Sequence, residues 1–504
     1  NNNGYSDFYT HFCLLTQIHV MAKNTFDVII MGAGLSGIGT AYHLQQECKG
    51  KTYAILENRE SIGGTWDLFR YPGIRSDSDM FTLGYSFKPW KHNEAIADGG
   101  LILNYIKEAA SENGIDKNIH FNTKINRADW DSETNTWTIT CYNSKTKKNI
   151  EYTAKYVISC LGYYNYEKAH RPEFKGEKSF KGDIIHPQFW PKNYDYAGKE
   201  IVIIGSGATA VTLVPSMADK AKHVTMLQRS PTYIASIPNR SLLPQNLLKN
   251  LPDTVQYNLN RAAQIGLQVV SYNLCQSQPA LMKRYFREHV KKQLPKDYDI
   301  ETHFVPKYNP WDERLCAVPN GDLFKSIRSG NASVITDHID KFVEDGILLK
   351  SGKKIKADII ITATGLELQM LGGIKTFMDG KELKPADGIV YKGLMIKDVP
   401  NFAFILGYTN SSWTLKADMV GEYFCKLINT AEKKKKKVFV VKSDKPIEKE
   451  PALNFNAGYV QRAIQAGVLP SQGVTYPWKL KQNYLIDAFN FKFRDIKDEF
   501  LQFV

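Results

Sequence analysis

A chain of 504 residues is too long for one ordinary core, so two or three domains are expected. Its 43% hydrophobic and 23% charged residues suit a soluble globular protein, and no apolar run is long enough to cross a bilayer. The seven cysteines are scattered and odd in number, which argues against a redox pair or metal site and for reduced thiols in a cytoplasmic protein. The net charge of +13 is spread along the chain. It reads as a solvated surface plus a site for a phosphate-bearing cofactor, rather than a nucleic-acid or anionic membrane surface. The dense lysine block at 433–437 reads as a solvated helix end.

Residues 1–20 look unlike the rest, and the sequence from Met21 reads as a natural start. They are expected to be a non-native or disordered extension. Residues 26–31, FDVIIM, are a short apolar run ending in glycine, as in a buried parallel strand. Helical periodicity over 35–48 and a second apolar run, KTYAIL, closed by Glu57, complete a βαβ unit. The same order recurs at 200–204 (EIVII), 211–218 and 224–227. Each unit also has a later apolar run ending in glycine, VISCLG at 157–162 and IIITATG at 359–365. The fold class is therefore α/β, with two Rossmann-like dinucleotide-binding domains. Residues 236–317, with helix-like pieces at 259–273 and 280–292, read as a helical insertion. The expected division is 21–165 and 366–504 for the first domain. Residues 166–235 and 318–365 form the second, with the insertion between them.

The two glycine turns carry the first chemistry. Gly32, Gly34 and Gly37 follow a strand and open a helix, where a pyrophosphate can approach the backbone. Glu57 at the second strand tip can accept both ribose hydroxyls and repels a 2′-phosphate, so FAD or NAD is expected there. At the second turn, Gly205, Gly207 and Ala210 hold the small positions. Its strand tip, Gln228-Arg229-Ser230, lacks an acid, and Arg229 can pair with a 2′-phosphate, which points to NADPH.

Between the two turns lies FKGDIIHPQFWP, residues 180–191. Phe180, Gly182, His186, Trp190 and Pro191 stand at the spacing of a type I Baeyer–Villiger monooxygenase signature, and the chain resembles that family. A second family signature matches GGTWDLFRYPGIRSD at 63–77, through Gly64, Trp66, Tyr71, Pro72, Gly73 and Asp77. The words GSGATAVTLVP, NPWDERLC and GYTNSSWTLKAD look most like the subgroup containing the ethionamide-activating monooxygenase. The resemblance covers nearly all of 25–485.

The resemblance implies FAD on the first domain, near Thr65, Trp66 and Asp77, and NADPH on the second. It implies oxygen insertion from dioxygen beside a ketone carbonyl, through a flavin peroxide, to give esters or lactones. Oxidation of sulfides or thioamides is implied too. By resemblance, Arg314 is the active-site arginine and Asp77 its partner; a fixed guanidinium suits an anionic peroxide. Two positions depart from the family: Glu313 stands where many relatives have lysine, and Ser76 where they often have cysteine. His186, flanked by aromatics and proline in an interdomain link, reads as a residue coupling cofactor binding to domain rotation rather than as the base. Two alternatives stay open: a sulfur- or nitrogen-oxidising flavin monooxygenase without ketone activity, and a non-catalytic nucleotide-sensing flavoprotein. Oligomeric state and physiological substrate are not read from the sequence.

Overall fold

The computed structural model describes residues 24–313, 315–453 and 457–504, the side chain of Gln245 excepted. The extension at 1–20 lies outside the described residues. Two sheets organise the molecule. At the centre of the first, β1 (Thr25–Met31) leads through a glycine turn into α1 (Leu35–Glu47) and back to the parallel β2 (Tyr53–Leu56). Three longer strands follow: β3 (Thr123–Asp131), β4 (Thr136–Asn143) and β5 (Lys148–Ser159). β3, β4 and β5 form an antiparallel meander, and the far end of β5 turns parallel to β1.

Alternate residues of β1 serve two cores. Val28 and Ile30 pack with α1, whereas Ile29 and Met31 pack with Trp137 and Tyr152 of the meander. β1 is apolar on both sides because both faces are covered.

The second sheet is all parallel. β6 (Glu200–Ile204) runs through a second glycine turn into α2 (Ala208–Ala218) and returns as β7 (His223–Gln228). The chain then leaves this sheet. The strands Tyr233–Ile237 and Leu315–Pro319 pair with each other, and between them lie α3 (Asp253–Ser277) and the helix Pro279–Lys291. Ala332–Thr336, β8 (Ile359–Thr362) and Asp183–Ile185 complete the sheet.

The chain then rejoins the first sheet: Lys375–Met378 pairs with β3 and Phe402–Phe404 with β5, before α4 (Trp413–Lys433) packs on α1. Outward and return passages lie side by side, because Tyr164–Ala169 pairs antiparallel with Leu366–Leu368.

The central strands fall on their apolar runs, β2 starting two residues later and β7 reaching one residue further at each end, while β5 and β8 stop short of the glycine that closes their runs. β5 ends after Ser159: the Cys160 amide makes a last bond to the Met31 carbonyl at 2.8 Å, and Gly162 then takes φ +67°. β8 stops at Thr362 for the same kind of reason, Gly365 having φ +104°. α2 begins three residues earlier than its periodicity suggests, capped by Gly207. Among the described residues, no helix is long and apolar enough to cross a membrane.

Candidate active site

A cavity of about 1850 Å³ is lined from both sheets and includes both glycine turns. α1 starts at Gly34 with no side chain capping it, so its first-turn amides are left for an anion from the cavity. Gly37 cannot be larger, because a Cβ there would stand 1.9 Å from the Gly32 carbonyl oxygen. Glu57 is buried at the tip of β2 and lines the cavity. One of its oxygens accepts from the Ala33 amide at 2.7 Å and the other from the Arg59 amide at 2.8 Å. Each retains a lone pair for a ribose hydroxyl. Burial pushes the Glu57 pKa up, and the two amides oppose that.

The segment 63–77 folds along the same wall. Gly64 starts the short helix Thr65–Leu68, and Asp67 inside it is buried against Arg59 at 2.9 Å and Arg70 at 2.6 Å. These pairs fix Thr65 and Trp66, which both line the cavity. Tyr71 is buried, and burial first, with Asp77 adding, pushes its pKa up to about 12, so it stays protonated. Asp77 lines the cavity as well.

At the second turn, Gly205 has φ +136°, and a Cβ there would sit 2.4 Å from the Ala363 carbonyl oxygen. Gly207 caps α2 without side-chain help and lines the cavity, while Ala210 is fully buried beneath. Gln228 turns away, its amide donating to the His303 carbonyl at 2.8 Å and to Thr336 at 2.9 Å. Arg229 and Ser230 are exposed and line the cavity. Glu313 faces Arg229: burial raises its carboxyl pKa, and the nearby guanidinium pulls it back. Arg314 lies outside the described residues; its neighbours Glu313 and Leu315 line the cavity.

The stretch 180–191 is elsewhere. Asp183–Ile185 is the edge strand of the second sheet, paired with β8. Phe180 packs beneath that sheet with Phe342, and a Cβ on Gly182 would meet the Asp358 carbonyl oxygen at 2.1 Å. Trp190 packs edge-on to Tyr194, and Pro191 is exposed. His186 Nδ1 accepts from the Gln188 amide at 3.2 Å. The Gln188 side chain donates to the Asn165 and Tyr166 carbonyls at 2.9 and 3.1 Å, tying this stretch to the outward passage. Burial lowers the His186 pKa to about 4, with Arg171 and His170 contributing, so the ring is neutral near pH 7.

One cluster escaped the sequence reading. Asp79 is buried, lines the cavity and caps the helix Met80–Leu83. Gln268 of α3 donates to it at 2.9 Å and accepts from Ser411. Burial raises the Asp79 pKa. The only local signal was its place in the word SDSDM, because its partners come from distant parts of the chain.

The bare α1 terminus, the Glu57 carboxylate and the Trp66 wall fit FAD; the second bare helix end with Arg229 and Ser230 fits NADPH. Solved structures share the fold. An open cyclohexanone monooxygenase matches with TM-score 0.71 and 20% identity over 93% of this chain and 98% of that one. An oxidised steroid monooxygenase bound to NADP matches with TM-score 0.69 and 21% identity over 83% and 87%. The family described as pyridine nucleotide-disulphide oxidoreductase matches residues 29–266. The described cysteines are all free and buried. The fold and cavity thus define a flavoprotein with two dinucleotide-binding domains.

Sequence relatives narrow the class. The chain is 50% identical over 479 residues to the FAD-containing monooxygenase EthA of Mycobacterium tuberculosis, covering 95% of this chain and 97% of that protein. It is 48% identical over 480 residues to the probable FAD-binding monooxygenase AlmA of Acinetobacter baylyi, covering 95% and 96%. The chain belongs to this family of FAD-containing monooxygenases.

Proposed function

We propose that the protein converts a ketone, dioxygen, NADPH and a proton into an ester or lactone, water and NADP⁺. The carrying observation is that both glycine turns, Trp66, Asp77 and the Tyr308–Trp311 and Tyr408–Trp413 neighbourhoods line one cavity. A ketone there would meet aromatic walls at the junction of both cofactor sites. FAD, when bound, supplies the activation of dioxygen. Glu57 holds the ribose of FAD, and Arg229 with Ser230 holds the 2′-phosphate of NADPH. Arg314 stabilises negative charge developing on the reacting oxygens, and Asp77 orients it. The stretch 180–191, held to the interdomain passage by Gln188 beside a neutral His186, couples cofactor binding to domain rotation. Free buried thiols suit a reducing compartment such as the cytoplasm.

The relatives support oxygenation; the substrate reading rests on the family resemblance. Sulfides and thioamides are proposed as further substrates of the same cavity. The test is mass analysis of products from a mixed ketone and sulfide panel with NADPH. Esters support the reading, and sulfoxides without any ester overturn it. A flavin band that NADPH fails to bleach favours a nucleotide sensor. Arg314→Ala should cut ester formation by about 10²–10³ while FAD stays bound; unchanged turnover removes its assigned role.

A further inference from the structure

α3 turns apolar side chains outward. Its only charged residues are Asp253 at its start and Arg261, and Arg261 points inward. The Arg261 guanidinium donates to the Phe81 and Gly84 carbonyls at 2.8 and 2.7 Å. The inward face also carries Asn260 and Gln268. The outward face carries Val255, Leu259, Val270 and Leu274, with Val270 57% exposed. The inward face also buries Tyr257, Ile265 and Cys275, so α3 is apolar on both sides, whereas an ordinary surface helix turns a polar face outward.

Exposed apolar residues also precede and follow α3 in the chain. Leu247 and Leu251 precede it, and Leu281 and Tyr285 follow on the helix Pro279–Lys291, all exposed. The helix Tyr484–Lys492 starts beside the C-terminal half of α3, where Asn273 and Asn483 line one small pocket. It adds exposed Leu485 and Phe489, and Phe493 just beyond it is 77% exposed. Exposed cations flank these residues: Lys249, Arg284, Lys292, Lys492 and Arg494. Acids are fewer there: Asp253 opens α3, Glu288 pairs with Arg287, and Lys492 reaches Glu422 at 3.5 Å. The net charge of +13 is thus partly gathered around an apolar face, although it looks evenly spread along the sequence. The stripe also reaches the cavity, because Leu242 and Leu267 are both exposed and line it.

We propose that this face seats the enzyme on an anionic lipid surface, with the Leu242–Leu267 side of the cavity turned toward the apolar phase. Lipid headgroups complement the flanking cations, and acyl chains cover the stripe. A second copy of the chain would bring the same cations against one another. Exposed apolar area of this extent calls for a partner. The lipid surface would then supply apolar substrates directly to the cavity mouth, whichever functional group is oxidised.

The experiment is co-sedimentation of the full-length holoenzyme with vesicles of phosphatidylglycerol and phosphatidylcholine in equal parts, or of phosphatidylcholine alone. Wild type should pellet with the mixed vesicles, less with the neutral ones, and less as salt rises. A Leu259→Glu/Val270→Glu/Leu274→Glu variant should bind about tenfold less, with flavin content and turnover of a water-soluble ketone unchanged. Arg284→Glu/Lys292→Glu should lower binding to the anionic vesicles alone. Wild type remaining in solution with both vesicle types overturns the proposal. So does equal pelleting of the triple glutamate variant. If wild type ignores vesicles but is a dimer that the triple variant splits, the face is a subunit interface and the proposal is wrong.

Discussion

Glu57 sits where a small chemical change has a large consequence. Its two oxygens accept the Ala33 and Arg59 amides. In Glu57→Gln the new amide group must face one of those donors, at a cost of about 1–3 kcal/mol. The flavin-to-protein absorbance ratio of the purified variant should fall, with FAD binding weakened about tenfold or more. Arg229 makes the complementary case. It is the cation at the tip of β7, with Glu313 facing it across the cavity wall. Arg229→Ala should raise the KM for NADPH about tenfold and leave that for NADH unchanged, because only NADPH carries the 2′-phosphate. Steady-state kinetics with both nucleotides checks this; equal losses for the two would assign Arg229 elsewhere.

Among elements, α1, α3 and α4 meet at one buried charge cluster. Asp418 of α4 is 3.5 Å from both His43 of α1 and Arg261 of α3, and accepts the Ser86 amide at 2.9 Å. Burial opposes charge on His43, but bonds to Asp418 and Glu47 outweigh it and lift its pKa to about 9. The stabilisation from this pair is complete below the ordinary histidine value of 6.5 and fades as pH rises through about 9. Asp418→Ala should lower stability by about 3–5 kcal/mol, since His43 and Arg261 lose their buried partner. The decline in melting temperature from neutral to alkaline pH should be shallower in the variant than in wild type. None of this cluster was legible beforehand, because its members are distant in the chain. The strands β1, β2, β6 and β7 were legible because their central residues are buried on both faces and mostly apolar. The meander β3–β4 was not, since it mixes exposed charges with an alternating core face and its partners are set by pairing. At the site, the two glycine turns, Glu57 and Arg229 could be found from their place after strands. Asp79, Gln268 and Ser411 could not, because the chain assembles them from three segments.

For the whole molecule, the cavity spans both sheets, so a ligand bridging them links their stabilities. NADP⁺ at one hundred times its Kd should stabilise the holoenzyme by about 2.7 kcal/mol, seen as a thermal shift. Arg229→Ala should lose most of that shift at the same concentration. The two passages between the sheets have a separate meaning. Ala169 and Leu366 are direct partners across that short ribbon, so the point where the chain enters the second domain adjoins the point where it leaves. Directly opposed strand residues stand about 5 Å apart. Topologically the second domain is a cassette: a short turn joining those two residues would close the first sheet's chain without it. One ancestral nucleotide fold could therefore have received another at a single place, as a loop enlarged into a domain, without redrawing either sheet.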